Sequence, residues 1–145
     1  MGATEVDGHS FKDIGLPEFT VISRKESETG DILYTVEPKE RIADCPACGG
    51  KLHIHKDAKR KVKDLDEFGH RVGIVVKGKS YRCKDCGETV REEYASICGQ
   101  MTRRMVESIQ RDVFGDMTFT QIARRYNVSV STVQGLFEEQ GVKLW

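Results

Sequence analysis

No run of apolar residues in this 145-residue chain approaches the roughly 20 that a bilayer span requires. The first thirty residues also lack the apolar stretch of a secretory signal. The expected setting is therefore the cytoplasm, with no membrane partner. Net charge is missing too: 23 basic and 23 acidic side chains cancel, so the chain as a whole has no bulk attraction to nucleic acid. There is no internal repeat and no low-complexity tract, which argues against a solenoid. Neither paired carboxylates at the spacing of a two-metal nuclease nor a nucleophile beside a base can be found, so no enzyme activity is expected. Core-forming material is scarce as well. Hydrophobic residues make up 38% and charged residues 32%, a balance that requires a staple in a chain this small.

What is present is unevenly spread. Residues 1–44 carry 5 basic and 10 acidic side chains, residues 45–98 carry 12 and 8, and residues 99–145 carry 6 and 5. The basic middle also holds Cys45-Pro46-Ala47-Cys48-Gly49 and Cys83-Lys84-Asp85-Cys86-Gly87, two C-x-x-C-G knuckles separated by 34 residues. The tight turn of such a knuckle points both sulfurs at one ion, and the following Gly lets backbone amides turn toward a thiolate. In a reducing compartment a patterned set of cysteines reads as a metal site rather than a disulfide framework. We expect one structural Zn²⁺ on Cys45, Cys48, Cys83 and Cys86, with no position left for a water or substrate. A rubredoxin-type iron site uses similar knuckles, and ordinary buried cysteines are the plainest alternative. His53, His55 and His70 read as a second metal site or as exposed histidines that meet phosphate. Cys98, in an apolar stretch, reads as a small buried hydrophobe.

Secondary-structure signals divide the chain. Residues 1–17 read as a loosely ordered lead-in. Phe19–Ile22 and Ile32–Val36 flank the turn residues Glu28-Thr29-Gly30-Asp31 and predict a hairpin. Short strands are expected at Lys51–His55, Lys61–Leu65, Arg71–Lys77 and Lys79–Cys83, with turns at Asp66–Gly69 and Lys77-Gly78. After Tyr94 the period becomes helical. Met101, Met105, Val106, Ile109, Val113 and Phe114 mark a first helix, capped by Thr102 and ended by Gly115. Thr118 and Gln121 form a capping-box pattern for a second helix of under three turns, ended by Asn127, and Ser129 caps a third that runs to Gly141.

Thr118 to Phe137 thus has the layout of a helix-turn-helix. Val130, Ser131 and Gln134 fall on the exposed face of the third helix's opening turns and are expected to meet base edges. Arg103, Arg104, Arg111, Arg124 and Arg125, with Lys59, Arg60, Lys61 and Lys63 of the ribbon, are the expected phosphate contacts. An ordinary three-helix bundle with a solvated charged face is the alternative. Gly135 costs about 1 kcal/mol relative to Ala in mid-helix, which suggests close approach of DNA or of another helix.

From about Asp44 to Phe137 the ordered features are the first knuckle, basic strands with Asp64-Leu65 and Gly69, Tyr81-Arg82-Cys83, the second knuckle, Ile122-Ala123, and Val128-Ser129 with Thr132-Val133. This order resembles the N-terminal region of bacterial insertion-sequence transposases of the ISL-three type. The resemblance implies that Cys45, Cys48, Cys83 and Cys86 take the zinc positions and that the helix-turn-helix binds the DNA ends. It also implies a later catalytic domain with acidic metal ligands, for which the residues up to Trp145 hold no counterpart.

The expected fold class is α+β: a small β-rich zinc ribbon with a preceding β-hairpin over residues 18–98, followed by a three-helix DNA-binding module over 99–145. The expected function is sequence-specific binding of double-stranded DNA, as the recognition part of a transposase or a free-standing relative. A homodimer or a downstream catalytic domain is a possible partner. A zinc-stapled protein-interaction adaptor or transcriptional regulator, and an iron electron carrier, are the alternatives from other classes.

Overall fold

The computed structural model describes residues 14–143, with side chains through residue 138. Residues 1–13 of the expected lead-in, and Trp145, lie outside the described residues, while Leu16 is buried in the core. No described helix is long and apolar enough to cross a membrane.

Strands β1 (Phe19–Glu26) and β2 (Ile32–Pro38) pair antiparallel as the expected hairpin. Strands β3 (Leu52–Glu67) and β4 (His70–Cys83) form a much longer one. Short strands β5 (Thr89–Arg91), β6 (Ile97–Cys98) and β7 (Met101–Thr102) follow, then helices α1 (Arg103–Val113), α2 (Phe119–Tyr126) and α3 (Val130–Lys143). All seven strands belong to one mixed sheet in the order β1-β2-β4-β3-β7-β6, with β5 on the free stretch of β4.

This corrects the expected fold class. A small ribbon, a separate hairpin and a following α module are not what the chain builds. β2 pairs in parallel with β4 from Ile32↔Val72 to Val36↔Val76, which merges the first hairpin with the ribbon. The four short strands expected in the ribbon are two long ones. Lys77-Gly78 is no turn, because Gly78 continues β4 opposite Ala58. Glycine is needed there for close approach: a Cβ would stand 2.5 Å from the Tyr94 hydroxyl and 3.1 Å from the Ala58 carbonyl. The real reversal is the two-residue turn Phe68-Gly69, closed by Glu67↔His70, with φ values of 50° and 79°.

Alternation explains the core. Ile32, Tyr34 and Val36 of β2, Val62 of β3, and Val72, Ile74 and Val76 of β4 share one face of the sheet and are buried with Phe19, Leu16 and Ile97. A second core lies between the helices, built on Met105, Ile109, Ile122, Tyr126 and Val133, and it reaches the sheet through Leu65 and Met101. The expected N-terminal caps, and the expected end of α2, are in place. Thr102 accepts from the Met105 amide, Thr118 and Gln121 form a complete capping box, and Asn127 ends α2 in the left-handed conformation at φ 55°. The first helix closes on Phe114, one residue before Gly115.

Candidate metal centre and nucleic-acid interface

The two knuckles meet because β3 begins just after the first and β4 ends in the second, with Leu52 opposite Cys83. Each is a turn of the same kind: the Gly49 amide donates to the Cys45 carbonyl at 2.8 Å and the Gly87 amide to the Cys83 carbonyl at 3.1 Å. Gly49 and Gly87 stand at φ 77° and 75°, a region that other residues enter at a cost. Amides then face sulfur, from Gly50 to Cys48 at 3.4 Å and from Cys86 to Cys83 at 3.5 Å.

The four ligand sulfurs lie within 4.8 Å of one another. Cys45 and Cys86 are 3.8 Å apart and Cys48 and Cys83 are 3.4 Å apart. A tetrahedron with Zn–S bonds of about 2.3 Å places its sulfurs about 3.8 Å apart, so the set fits one zinc ion. Among the sulfurs themselves ionisation is opposed. The Cys86 amide, helped by that of Asp85 and by the Cys48 thiol, lowers the Cys83 thiol to about 7. Cys86, despite the Glu88 amide, is pushed up to about 12 by desolvation and its three facing thiols. A divalent cation removes this conflict by making all four thiolates. Four protein ligands make the zinc structural.

At the other end of the long hairpin, whose 16-residue strand β3 spans roughly 50 Å, the helices are bolted to the sheet. Asp64 is buried, and it accepts from Thr102 Oγ1 at 2.7 Å, its neighbour Leu65's amide at 2.8 Å, and both Nε and Nη2 of Arg104. Lys63 Nζ donates to the Asn127 carbonyl at 2.5 Å, and Arg71 to the carbonyls of Arg125 at 2.9 Å and Arg124 at 3.5 Å. Two cations thus cap the C-terminal end of α2, where its dipole is negative.

Of the expected base-facing residues, Val130, Ser131 and Gln134 are all exposed at the start of α3, while Val133 between them is buried against α1 and α2. The Ser129 hydroxyl accepts from the Thr132 amide at 3.1 Å, the expected cap. A Cβ on Gly135 would meet nothing within 4 Å, so no helix packs there.

The expected phosphate contacts separate into groups. Arg111 and Arg124 are exposed, and neither side chain has a partner among the described residues. Arg103 donates to the Ala95 carbonyl at 2.8 Å, and Arg125 pairs with Asp112 at 3.2 Å beside the Tyr126 ring. Arg104 is half-buried and committed to Asp64 and to the Ile14 carbonyl at 2.6 Å. Lys59, Lys61 and Lys63 share one face of β3, whereas Arg60 points to the other and donates to the Gly99 carbonyl at 2.6 Å, because strand side chains alternate. His53, His55 and His70 are exposed and belong to no metal cluster among the described residues, His70 lying against Gly30. Cys98 is half-buried in β6.

Sequence reasoning gave no role to Glu92, whose carboxylate is buried and takes five hydrogen bonds. They come from the Lys79 amide at 2.7 Å, Tyr81 Oη at 2.7 Å, Tyr94 Oη at 3.0 Å, and Arg41 Nη1 at 3.0 and 3.1 Å. Burial raises its pKa, but these donors outweigh it and hold the group below its ordinary 4.5. A carboxylate depressed in the folded state stabilises the fold above its unfolded value, and that stability is lost as pH falls through the lower folded value. Unfolding free energy should therefore fall with pH below about 4.5. Glu92→Gln should be less stable than the parent at pH 7 and lose less on acidification, which urea titrations across pH 3 to 7 read directly. Parallel pH profiles for the two proteins would contradict the assignment.

Residues 43–86 match the family model for the zinc-finger of the transposases IS204, IS1001, IS1096 and IS1165. The match runs from just before the first knuckle to the last cysteine and stops ahead of the helices. No curated protein and no solved structure matches the chain.

Proposed function

We propose that the protein binds double-stranded DNA sequence-specifically, with α3 entering the major groove and the zinc-stapled sheet holding that helix in place. The observation that carries this reading is the outward row Val130, Ser131 and Gln134 on the first turns of a capped helix in helix-turn-helix arrangement. Glutamine can bond adenine through two hydrogen bonds, and serine can bond several base edges. The exposed Arg111 and Arg124 are free to take phosphates. Arg103 and Arg125 can join them by exchanging an intramolecular contact, and Lys59 and Lys61 reach from the sheet. Arg104, Arg60 and Lys63 serve the framework. The matched ribbon supports a place as the DNA-recognition part of an insertion-sequence transposase or a free-standing relative, in the cytoplasm. The chain itself performs no strand cleavage or joining in this reading, since protein sulfurs fill all four positions of the cluster found among the described residues and Asp64 is spent on Arg104. Nicking of DNA with Mg²⁺ or Mn²⁺, lost in an Asp66→Asn or Glu67→Gln variant, would overturn that.

Selection from random duplex DNA tests the reading. With the recovered site, Gln134→Ala should cost on the order of 1 to 3 kcal/mol and little on a scrambled duplex. Arg124→Gln should weaken both duplexes alike and reduce the salt slope by about one counterion. Equal losses on both duplexes for Gln134→Ala would mean that α3 does not read bases.

One observation favours a protein-docking role instead. Phe114 and Phe137 are exposed and, with Phe119, form an aromatic cluster at ring separations of 6.4 and 5.5 Å on the helices. A second copy docking there would make self-association concentration-dependent and insensitive to salt, and Phe137→Ser would abolish it.

A further inference from the structure

The face of the sheet opposite the buried core is studded with lysines. Lys59 stands directly opposite Lys77, Lys61 opposite Val75, and Lys63 opposite Gly73. The last row continues through Leu33 to Lys25 on β1. Like charges in direct cross-strand register destabilise a sheet, and among the described residues only Asp57, two positions before Lys59, acts against this one. Asp57 is taken by Lys79. Glu37, which follows Val36 beside this face, forms no ion pair among the described residues, and neither do Lys59, Lys61 and Lys77. At its helical end the face runs into a groove of about 530 Å³ lined by Lys61, Lys63, Gly73, Val128, Ser129 and Thr132. That groove is where α3 begins.

We propose that this face grips the phosphate backbone of the same duplex that α3 reads, with Lys59, Lys61 and Lys77 as its contacts; the proposal rests on the DNA-binding reading above. A polyanion is the partner because cations predominate on this face, where Asp57 is held by Lys79, in a row too long for one small anion. Alternate strand residues advance about 6.7 Å, and the phosphates of one DNA strand advance about 3.4 Å along the duplex. Lys59 to Lys63 therefore spans roughly four base steps. Continuity with the turn before α3 places those phosphates on the flank of the recognition site, and Lys77 widens the contact across β4.

The test uses the full chain carrying Lys59→Gln, Lys61→Gln and Lys77→Gln together, sparing Lys63, which holds the Asn127 carbonyl. Affinity for the selected duplex should fall roughly 10- to 100-fold at 0.1 M salt, and the salt slope should shrink by nearly three counterions. The ratio of selected to scrambled affinity should not change. Hydroxyl-radical protection should vanish on one flank only, leaving the major-groove site protected. Zinc content and melting temperature should be kept, the latter rising if anything because the Lys59/Lys77 opposition is gone. An unchanged slope and footprint in the triple variant, alongside lost preference in Gln134→Ala, would overturn the lysine face and leave base reading standing. Salt-steep duplex binding that the triple variant loses, with no effect of Gln134→Ala, would support the lysine face and overturn base reading. Wild-type protein that ignores duplex DNA at every salt concentration would end both.

Discussion

Cys83→Ser removes the one Zn²⁺ per chain and unravels the knuckle end of the long hairpin. Cys83 is buried, faces Cys48 across 3.4 Å, and is the residue whose thiolate is most favoured by backbone amides. Zinc binding of this kind is worth on the order of 10 kcal/mol, and that energy acts beyond the Tyr81–Glu92 hydrogen bond, at strand ends that bury little else. Around the knuckles His53, Ile54 and His55 are exposed, and the buried apolar cluster lies further along the strands, at Val62, Val72, Ile74 and Val76. Loss of metal should therefore be felt locally. In hydrogen exchange, amides of Leu52–Ile54, Arg82–Cys83 and Thr89–Arg91 should lose protection in the variant or on chelation, while those of Val62 and Ile74–Val76 keep most of theirs. Elemental analysis should give one zinc in the parent. Stoichiometric iron with thiolate charge-transfer colour, or no metal in folded protein, would sink the zinc assignment, and uniform loss of protection would show that the metal holds the whole sheet.

Asp64→Ala should cost about 2 to 3 kcal/mol, below the roughly 3 to 5 kcal/mol for a fully buried pair because the Arg104 side chain is 37% exposed. The carboxylate is almost wholly buried and organises three groups at once, so its loss strands the Arg104 guanidinium and the Thr102 hydroxyl that caps α1. Thr102 is itself fully buried. Because Asp64 is the point where sheet and α1 meet, the variant should also weaken specific DNA binding without loss of zinc. Denaturant titration with zinc quantified on the same samples checks both. A double variant Asp64→Leu, Arg104→Leu should recover part of the stability, since no charge is then left unpaired. A single-variant cost under about 1 kcal/mol would place the junction elsewhere, in the apolar contacts of Leu65 and Met101.

Much of the site was legible because its signals are local. A C-x-x-C-G knuckle is a turn complete in five residues, and two of them specify a ligand set without knowledge of what lies between. Thr102, Thr118 with Gln121, Asn127 and Ser129 fixed the helix ends because caps act within one turn. The Phe19–Val36 hairpin was legible from turn chemistry. Lys77-Gly78 misled because a glycine demanded by the Tyr94 hydroxyl looks the same in sequence as one demanded by a turn. Arg104 looked like the other arginines of the helices because the carboxylate that claims it is 40 residues away.

The sequence by itself determined the zinc ligands, the helices with their caps, and the outward position of Ser131 and Gln134, all set by spacing within a few residues. Only the tertiary structure decided that the first hairpin joins the ribbon through a parallel β2–β4 pairing, that β3 and β4 run unbroken from the metal to the helices, and that Asp64 and Glu92 are buried hubs. It also decided which cations are spent inside the fold and which face outward together. Those outcomes depend on contacts between distant segments, whose loop-closure cost is repaid by burying one face of a sheet that no single segment could bury alone.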